Sequence, residues 1–157
     1  MSHSSPEHSA IHPALRNDHR HLDALFDQVV GAAEAGFDLR TLGEIWTRFD
    51  TTLRSHFAAE EALVFPALQE KHPNEVARFL GEHDDIRARL DALDIAVDLH
   101  FVRARQVREL VELVRAHAVA EDARLYRWAE SEVPGPTGDK LLLRLEDPNR
   151  WRQGGSA

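Results

Sequence analysis

The chain has 157 residues, 43% of them hydrophobic and 29% charged, with no cysteine. That length makes one domain able to bury a core unaided, and the missing thiols exclude disulfides, thiolate zinc sites, cysteine-ligated clusters and cysteine nucleophiles. A formal charge of −8 argues against a nucleic-acid-binding face, which leaves ten histidines as the compositional feature to place.

Residues 1–10 read as a disordered lead of Ser, Pro and His with almost nothing to bury. The opening MSHSSPEHSAIHP has no apolar h-region, so no signal peptide is expected. His3, His8 and His12 are assigned to this tail. The longest apolar run, Ala62 to Leu68, is seven residues with Pro66 inside it, too short to span a membrane. A soluble, cytoplasmic protein is the expectation.

The domain proper is expected over 11–132. From about Ile11, Leu15, His19, Leu22, Leu25, Phe26, Val29, Val30 and Ala33 recur at spacings of three and four, which predicts a helix. Pro13 suits its first turn and Gly36 its stop. A second helix is predicted from Leu39 to Glu70, with Leu42, Ile45, Trp46, Phe49, Leu53, His56, Glu60, Leu63, Val64 and Ala67 on one stripe. Pro66 should kink or fray its last turn. A third helix opens near Asn74 and carries Val76, Phe79, Leu80, His83, Ile86, Leu90, Leu93 and Val97. No Gly or Pro marks its end, which falls near Leu99 to Val102. The fourth carries Val107, Leu110, Val111, Val114, His117, Glu121, Leu125 and Trp128, and stops before Pro134-Gly135-Pro136. The tail, 133–157, holds Leu141, Leu142, Leu143, Leu145 and Trp151, as a short packed helix or a partner site. Four amphipathic helices with short links read as an all-α, up-down-up-down antiparallel four-helix bundle.

The two halves repeat. Asp18-His19 matches Glu82-His83, with Leu22 and Ile86 three residues on. His56-x-x-x-Glu60-Glu61 matches His117-x-x-x-Glu121-Asp122. His19 precedes His56 by 37 residues and His83 precedes His117 by 34. Each half is a helix hairpin giving one His and then His-x-x-x-Glu, and two hairpins about a pseudo-twofold would aim six groups at one place.

A helix returns to the same face after four residues, so His56 and Glu60 point together, as do His117 and Glu121. Their offsets from Leu53, Leu63, Leu110 and Val114 put them on the inward stripe. A buried, unpaired carboxylate loses several kcal/mol of solvation. A pair of divalent or trivalent cations removes that cost, and neutral imidazole with carboxylate suits iron, manganese, zinc or copper. Shared equally, the six groups give three protein ligands per ion, with positions open for a small molecule.

Taken singly, each histidine reads as an ordinary core or surface residue, and one His-x-x-x-Glu pair as a surface contact. The matched combination points to a metal site. His21 sits about 200° around the helix from His19 and should face water. His72 and His100 lie at helix ends and read as surface residues. Asp23 has no ligand counterpart, because its repeat position is Arg87. Glu61 and Asp122 each orient a histidine or replace the neighbouring glutamate as ligand; the residues leave both readings open. Tyr126 matches Phe65 nine residues after each histidine, as a core aromatic or a group near the site.

With Asp18-His19, Phe65-Pro66 and Glu121-Asp122-Ala-Arg-Leu125-Tyr126 added, the chain from about His12 to Glu130 resembles the hemerythrin-like family, the HHE cation-binding domains. The resemblance implies His19, His56, Glu60, His83, His117 and Glu121 as ligands of two iron ions joined by an oxo or hydroxo bridge. Zinc and manganese are compatible with the same donors. The chain departs from the oxygen carriers of the family. Arg87 stands where they have a second third-helix histidine, and their His-x-x-x-x-Asp on the fourth helix would select Asp122. Glu121 is preferred because it lies one turn from His117 and mirrors Glu60. A non-heme di-iron site is therefore expected rather than a simple oxygen carrier. The expected role is to bind or sense O2, NO, peroxide or iron. The alternatives are an oxidoreductase acting on peroxide or O2, and a structural bundle holding zinc or no metal. The expected partner is a small diatomic or peroxide ligand, with no nucleic acid and no membrane.

Overall fold

The computed structural model describes residues 10–36 and 38–146, so His3, His8, the lead 1–9 and Trp151 lie outside the described residues. The described residues are helices joined by short links, without a strand. None of their helices is long and apolar enough to cross a membrane.

Helix α1 (Ile11–Ala35) closes on Gly36, whose φ of 63° is left-handed and whose N–H reaches the Ala32 carbonyl. Glycine takes that conformation without a Cβ clash. Helix α2 (Leu39–Ala59) starts at Asp38, whose carboxylate accepts the Thr41 N–H at 3.0 Å. The single helix expected to Glu70 is instead three segments. After α2 come a π turn, π1 (Glu60–Val64), and α3 (Phe65–Leu68). The Phe65 N–H reaches back five residues to the Glu60 carbonyl. Pro66 follows directly in the first turn of α3, where a wide turn tolerates its missing donor.

Helix α4 runs Pro73–Asp98 and α5 runs Ala104–Ala120, continuing through a second π turn, π2 (Glu121–Leu125), into α6 (Tyr126–Glu132). The end of α4 carries no Gly because His100 takes the left-handed position, with φ 60°. Phe101 N–H then bonds the Ala96 carbonyl and His100 N–H the Val97 carbonyl, satisfying the last turn.

Helix α1 packs on α2 and α5, and α4 packs on the same two. Contacts run in opposite order between α1 and each of its neighbours α2 and α5. Asp18 meets His56 while Phe26 meets Phe49. Asp23 meets Arg115 while Glu34 meets Arg108. The core falls into two apolar clusters. One gathers Leu22, Phe26, Phe49, Leu53, Ile86, Leu90, Leu110 and Val114; the other gathers Leu15, Val64, Phe65, Leu68, Phe79, Leu125, Tyr126 and Leu141. On α1, α4 and α5–π2, the predicted site residues stand between the two.

Three further expectations need correction. His12 belongs to α1, not to a tail, and its ring lies edge-on 6.2 Å from Tyr126. His72 is half-buried, stacked 3.8 Å from Trp128 and bonded to Glu132 at 2.9 Å. Leu80, expected on the inward stripe, is exposed, because the face buried in α4 runs through Val76, Phe79 and His83.

Gly135-Pro136 opens a further helix, α7 (Gly135–Glu146), and Pro136 fits its first turn. Helix α7 packs on α1, α2 and π1 and buries Leu141 completely. A Cβ on Gly138 would sit 2.8 Å from Ile11 Cδ1, so this glycine permits the close approach. Leu141→Ala should cost about 2–5 kcal/mol, read as a lower urea midpoint at unchanged slope. An unchanged midpoint would show that α7 contributes nothing to stability.

Candidate metal centre

The two π turns sit where the repeat places its glutamates. In an α-helix, Glu60 and Phe65 would lie about 140° apart around the axis. The wider π turn lets both face inward, and the same holds for Glu121 and Tyr126. Such turns occur often at functional sites.

The structure brings all six predicted residues together. Glu60, His83 and Glu121 are wholly buried, and His56 and His117 nearly so. The Nε2 atoms of His19 and His56 lie 3.1 Å apart, and those of His83 and His117 lie 3.0 Å apart. The glutamates run between these two pairs. Glu60 turns Oε1 to His56 (3.1 Å) and Oε2 to His83 (3.4 Å). Glu121 turns Oε2 to His19 (3.2 Å) and Oε1 to His117 (2.8 Å). Two groups of donors result, His19–His56–Glu60–Glu121 and Glu60–His83–His117–Glu121, and both glutamates belong to both.

Each imidazole turns Nδ1 outward to a carboxylate. His56 meets Asp18 at 2.5 Å, His117 meets Glu82 at 2.6 Å and His83 meets Glu61 at 2.8 Å. His19 stands 3.5 Å from Asp122, a distance without a hydrogen bond. Glu61 and Asp122 thus lie outside the histidines, not among the inward donors. Arg87, where the oxygen carriers have histidine, bonds Glu61 at 2.7 Å. Tyr126 is fully buried. Its hydroxyl donates to Glu60 Oε1 at 2.6 Å and lies 2.6 Å from His19 Nε2. The matching Phe65 sets a bare ring 5.3 Å from His83.

Asp18 and Glu82 have roles that spacing did not assign. The available signal was their place directly before His19 and His83 in both halves. His21 is exposed as expected, and Asp23 pairs with Arg115 at 2.6 Å.

The donor set fits metal ions. Atoms about 2.0–2.1 Å from one ion lie roughly 2.9–3.4 Å from each other, close to the spacings in both groups. Glu60 Oε2 and Glu121 Oε1 are buried without a hydrogen bond, which is costly in the absence of a cation. Histidine Nε2 facing inward, with Nδ1 held by a carboxylate, is the usual arrangement of a ligating imidazole.

The charges follow from this crowding. Burial lowers the His83 pKa, but Glu121, Glu60 and Glu61 outweigh it and push it up to about 10. Burial likewise opposes His56, His19 and His117, and neighbouring carboxylates raise all three. Burial would raise Glu121, yet the charge of His117 holds it well below the usual range. Tyr126 is pushed well up, by burial first and then by Glu121 and Glu60, and keeps its proton. The raised His83 stabilises the ion-free fold below about pH 6.5, and that contribution fades as pH rises through about 10. At pH 7 the ion-free His83 holds a proton that an incoming ion must displace. Adding zinc to metal-free protein in weak buffer at pH 7 should therefore release acid, with affinity rising as pH rises. Saturation without acid release would contradict this charge state.

A family model described as the hemerythrin HHE cation-binding domain matches residues 10–129. No curated relative and no solved structure matches the chain.

Proposed function

The chain belongs to the hemerythrin HHE cation-binding family, and from that premise we propose that it is a non-heme di-iron protein that binds or senses a small oxidant or diatomic ligand. One observation carries the reading: each buried glutamate turns its two oxygens to different histidine pairs. Carboxylates so placed would be shared between two ions. His19 and His56 would complete one position and His83 and His117 the other, in an up-down-up-down bundle with pseudo-twofold symmetry. Imidazole and carboxylate suit iron, with zinc and manganese as alternatives of the same donor type. The cytoplasm is the proposed location.

When bound, an iron pair supplies open coordination positions and reversible redox chemistry. The chain's own residues do the rest. Asp18, Glu82 and Glu61 orient His56, His117 and His83 and make them better donors. The apolar clusters on either side exclude water. Tyr126 keeps a proton on its hydroxyl, donated to Glu60 beside His19, and turning that O–H from Glu60 would let it donate to a ligand arriving at that position. The ligand itself is O2, NO or a peroxide in this reading.

Metal analysis of freshly purified protein, with its absorption spectrum before and after reduction and air exposure, tests the proposal. Two irons per chain, one for each donor group, with a charge-transfer band that air and reductant interconvert, would support it. Zinc alone, or no metal after growth in iron-replete medium, would sink it.

A further inference from the structure

The repeat maps α1 onto α4 and α2–π1 onto α5–π2, but the groups that back the inward donors differ between the halves. Behind His83 and His117 each carboxylate is itself held by an arginine. Glu61, which meets His83 Nδ1 at 2.8 Å, accepts from Arg87 at 2.7 Å. Glu82, which meets His117 Nδ1 at 2.6 Å, accepts from Arg78 at 2.9 Å. Behind His56 and His19 stand Asp18 and Asp122, and among the described residues neither pairs with an arginine.

The two arginines are not equal. Arg78 and Glu82 lie one turn apart on α4, and half of the Arg78 side chain is exposed, so that pair contributes little. Arg87 reaches from α4 across to π1, and both it and Glu61 are half-buried. It bears on His83 by two routes. Its Nη1 holds Glu61, which holds the edge of the imidazole. Its guanidinium lies 5.6 Å over Phe57, and Phe57 stacks on the face of the same imidazole at 3.9 Å and 17°. Without Arg87, Glu61 is free to turn into water and Phe57 loses its cover.

At the equivalent positions nothing does this for His19. Asp23 stands in place of Arg87 and pairs outward with Arg115 at 2.6 Å. Ala118 stands in place of Phe57. Asp122 stands in place of Glu61, but its Oδ1 and His19 Nδ1 are buried 3.5 Å apart with no hydrogen bond to either. His56 and His117 are both tethered, at 2.5 and 2.6 Å, so the difference between the two positions lies at His83 against His19. A donor already held in its binding orientation loses less freedom when the ion arrives. Outer partners of this kind change metal affinity by about 10- to 100-fold.

We propose that Arg87 is a positioning residue for a divalent cation: by fixing Glu61 and Phe57 against His83 it makes the His83–His117 position the tighter of the two, so that the chain fills in a set order through a one-ion state. The inference rests on the two-ion reading above and adds an order of filling and the residue that sets it.

Zinc titration of the metal-free full chain at constant pH, against a chromophoric chelator, tests it, since zinc suits these donors and does not change oxidation state. The wild-type protein should take one zinc for each donor group, in two steps that differ in affinity by about tenfold or more. Arg87→Met, of similar length and without charge, should bring the steps together by weakening the tighter one about tenfold. Arg87→Lys returns a cation to Glu61 and should recover part of that loss, which a purely packing role would not produce. His19→Ala should weaken the looser step and spare the tighter one. Two equal steps in the wild type, or an Arg87→Met protein whose steps stand as far apart as the wild type's, overturn the proposal. Should the Arg87 variants fail to fold, Glu61→Gln, of the same size, decides: unchanged steps overturn it. Saturation of the wild type at a single zinc overturns the two-ion reading and the order with it, whereas two equal steps overturn the order alone.

Discussion

Removing the ions with a chelator should lower the midpoint of thermal unfolding by about 10–30 °C. Two ions at 100 to 1,000 times their dissociation constants add about 5–8 kcal/mol, and each kcal/mol moves a domain of this size by about 2–4 °C. The structure explains why the stripped state is weak. Two buried carboxylates 2.8–3.4 Å from imidazole nitrogens, and imidazoles 3.0–3.1 Å apart in two pairs, then crowd one site with no ion between them. The ion-free fold keeps its apolar clusters, so helicity should persist below the lowered midpoint. Circular dichroism melts with and without chelator, followed by re-addition of ferrous ion, provide the comparison. Equal midpoints would mean that no ion is bound in the core.

The second large effect separates shared from unshared donors. Glu60→Ala should abolish binding of both ions, because its two oxygens serve both groups. His83→Ala removes a donor from one group only and should leave one ion per chain. Loss of a direct donor should weaken its position by roughly 100-fold or more, beyond the 10- to 100-fold typical of an outer partner. Glu60→Gln, of the same size, separates lost charge from lost packing. Metal content after dialysis is the measurement. If Glu60→Ala keeps one ion and His83→Ala none, the bridging assignment is wrong.

Much of this was legible in the residues because helices repeat simply. The 3.6-residue period set the four long helices, and the apolar stripe through Leu110, Val114 and Leu125 set the inward direction of His117 and Glu121. The choice between Glu121 and Asp122 also followed from one-turn spacing, and the structure puts Glu121 inside and Asp122 outside. Three features escaped. The π turns break the period by one residue, and only the inward steps of five, Glu60 to Phe65 and Glu121 to Tyr126, betray them. The end of α4 had no signal because a histidine took a position that glycine usually marks. The stacking of Phe57 on His83 depends on packing across a seam, which a pattern along one helix does not contain. Tyr126 was visible as the partner of Phe65, but the approach of His19, His56 and Glu60 to its hydroxyl is a tertiary fact.

The π turns also change what a shift in chain length would do. Deleting one residue from an ordinary α-helix swings everything beyond the deletion by about 100° about the axis, and a buried stripe becomes a surface one. Helices α2–π1–α3 and α5–π2–α6 each carry one residue more than an α ladder needs. Losing Ala62 or Ala123 would tighten a five-residue step to an ordinary four-residue one, which still returns to within about 40° of the same face. Leu68 and Ala129 would stay near the core. These two places are where the chain could shorten by a residue and keep its bundle.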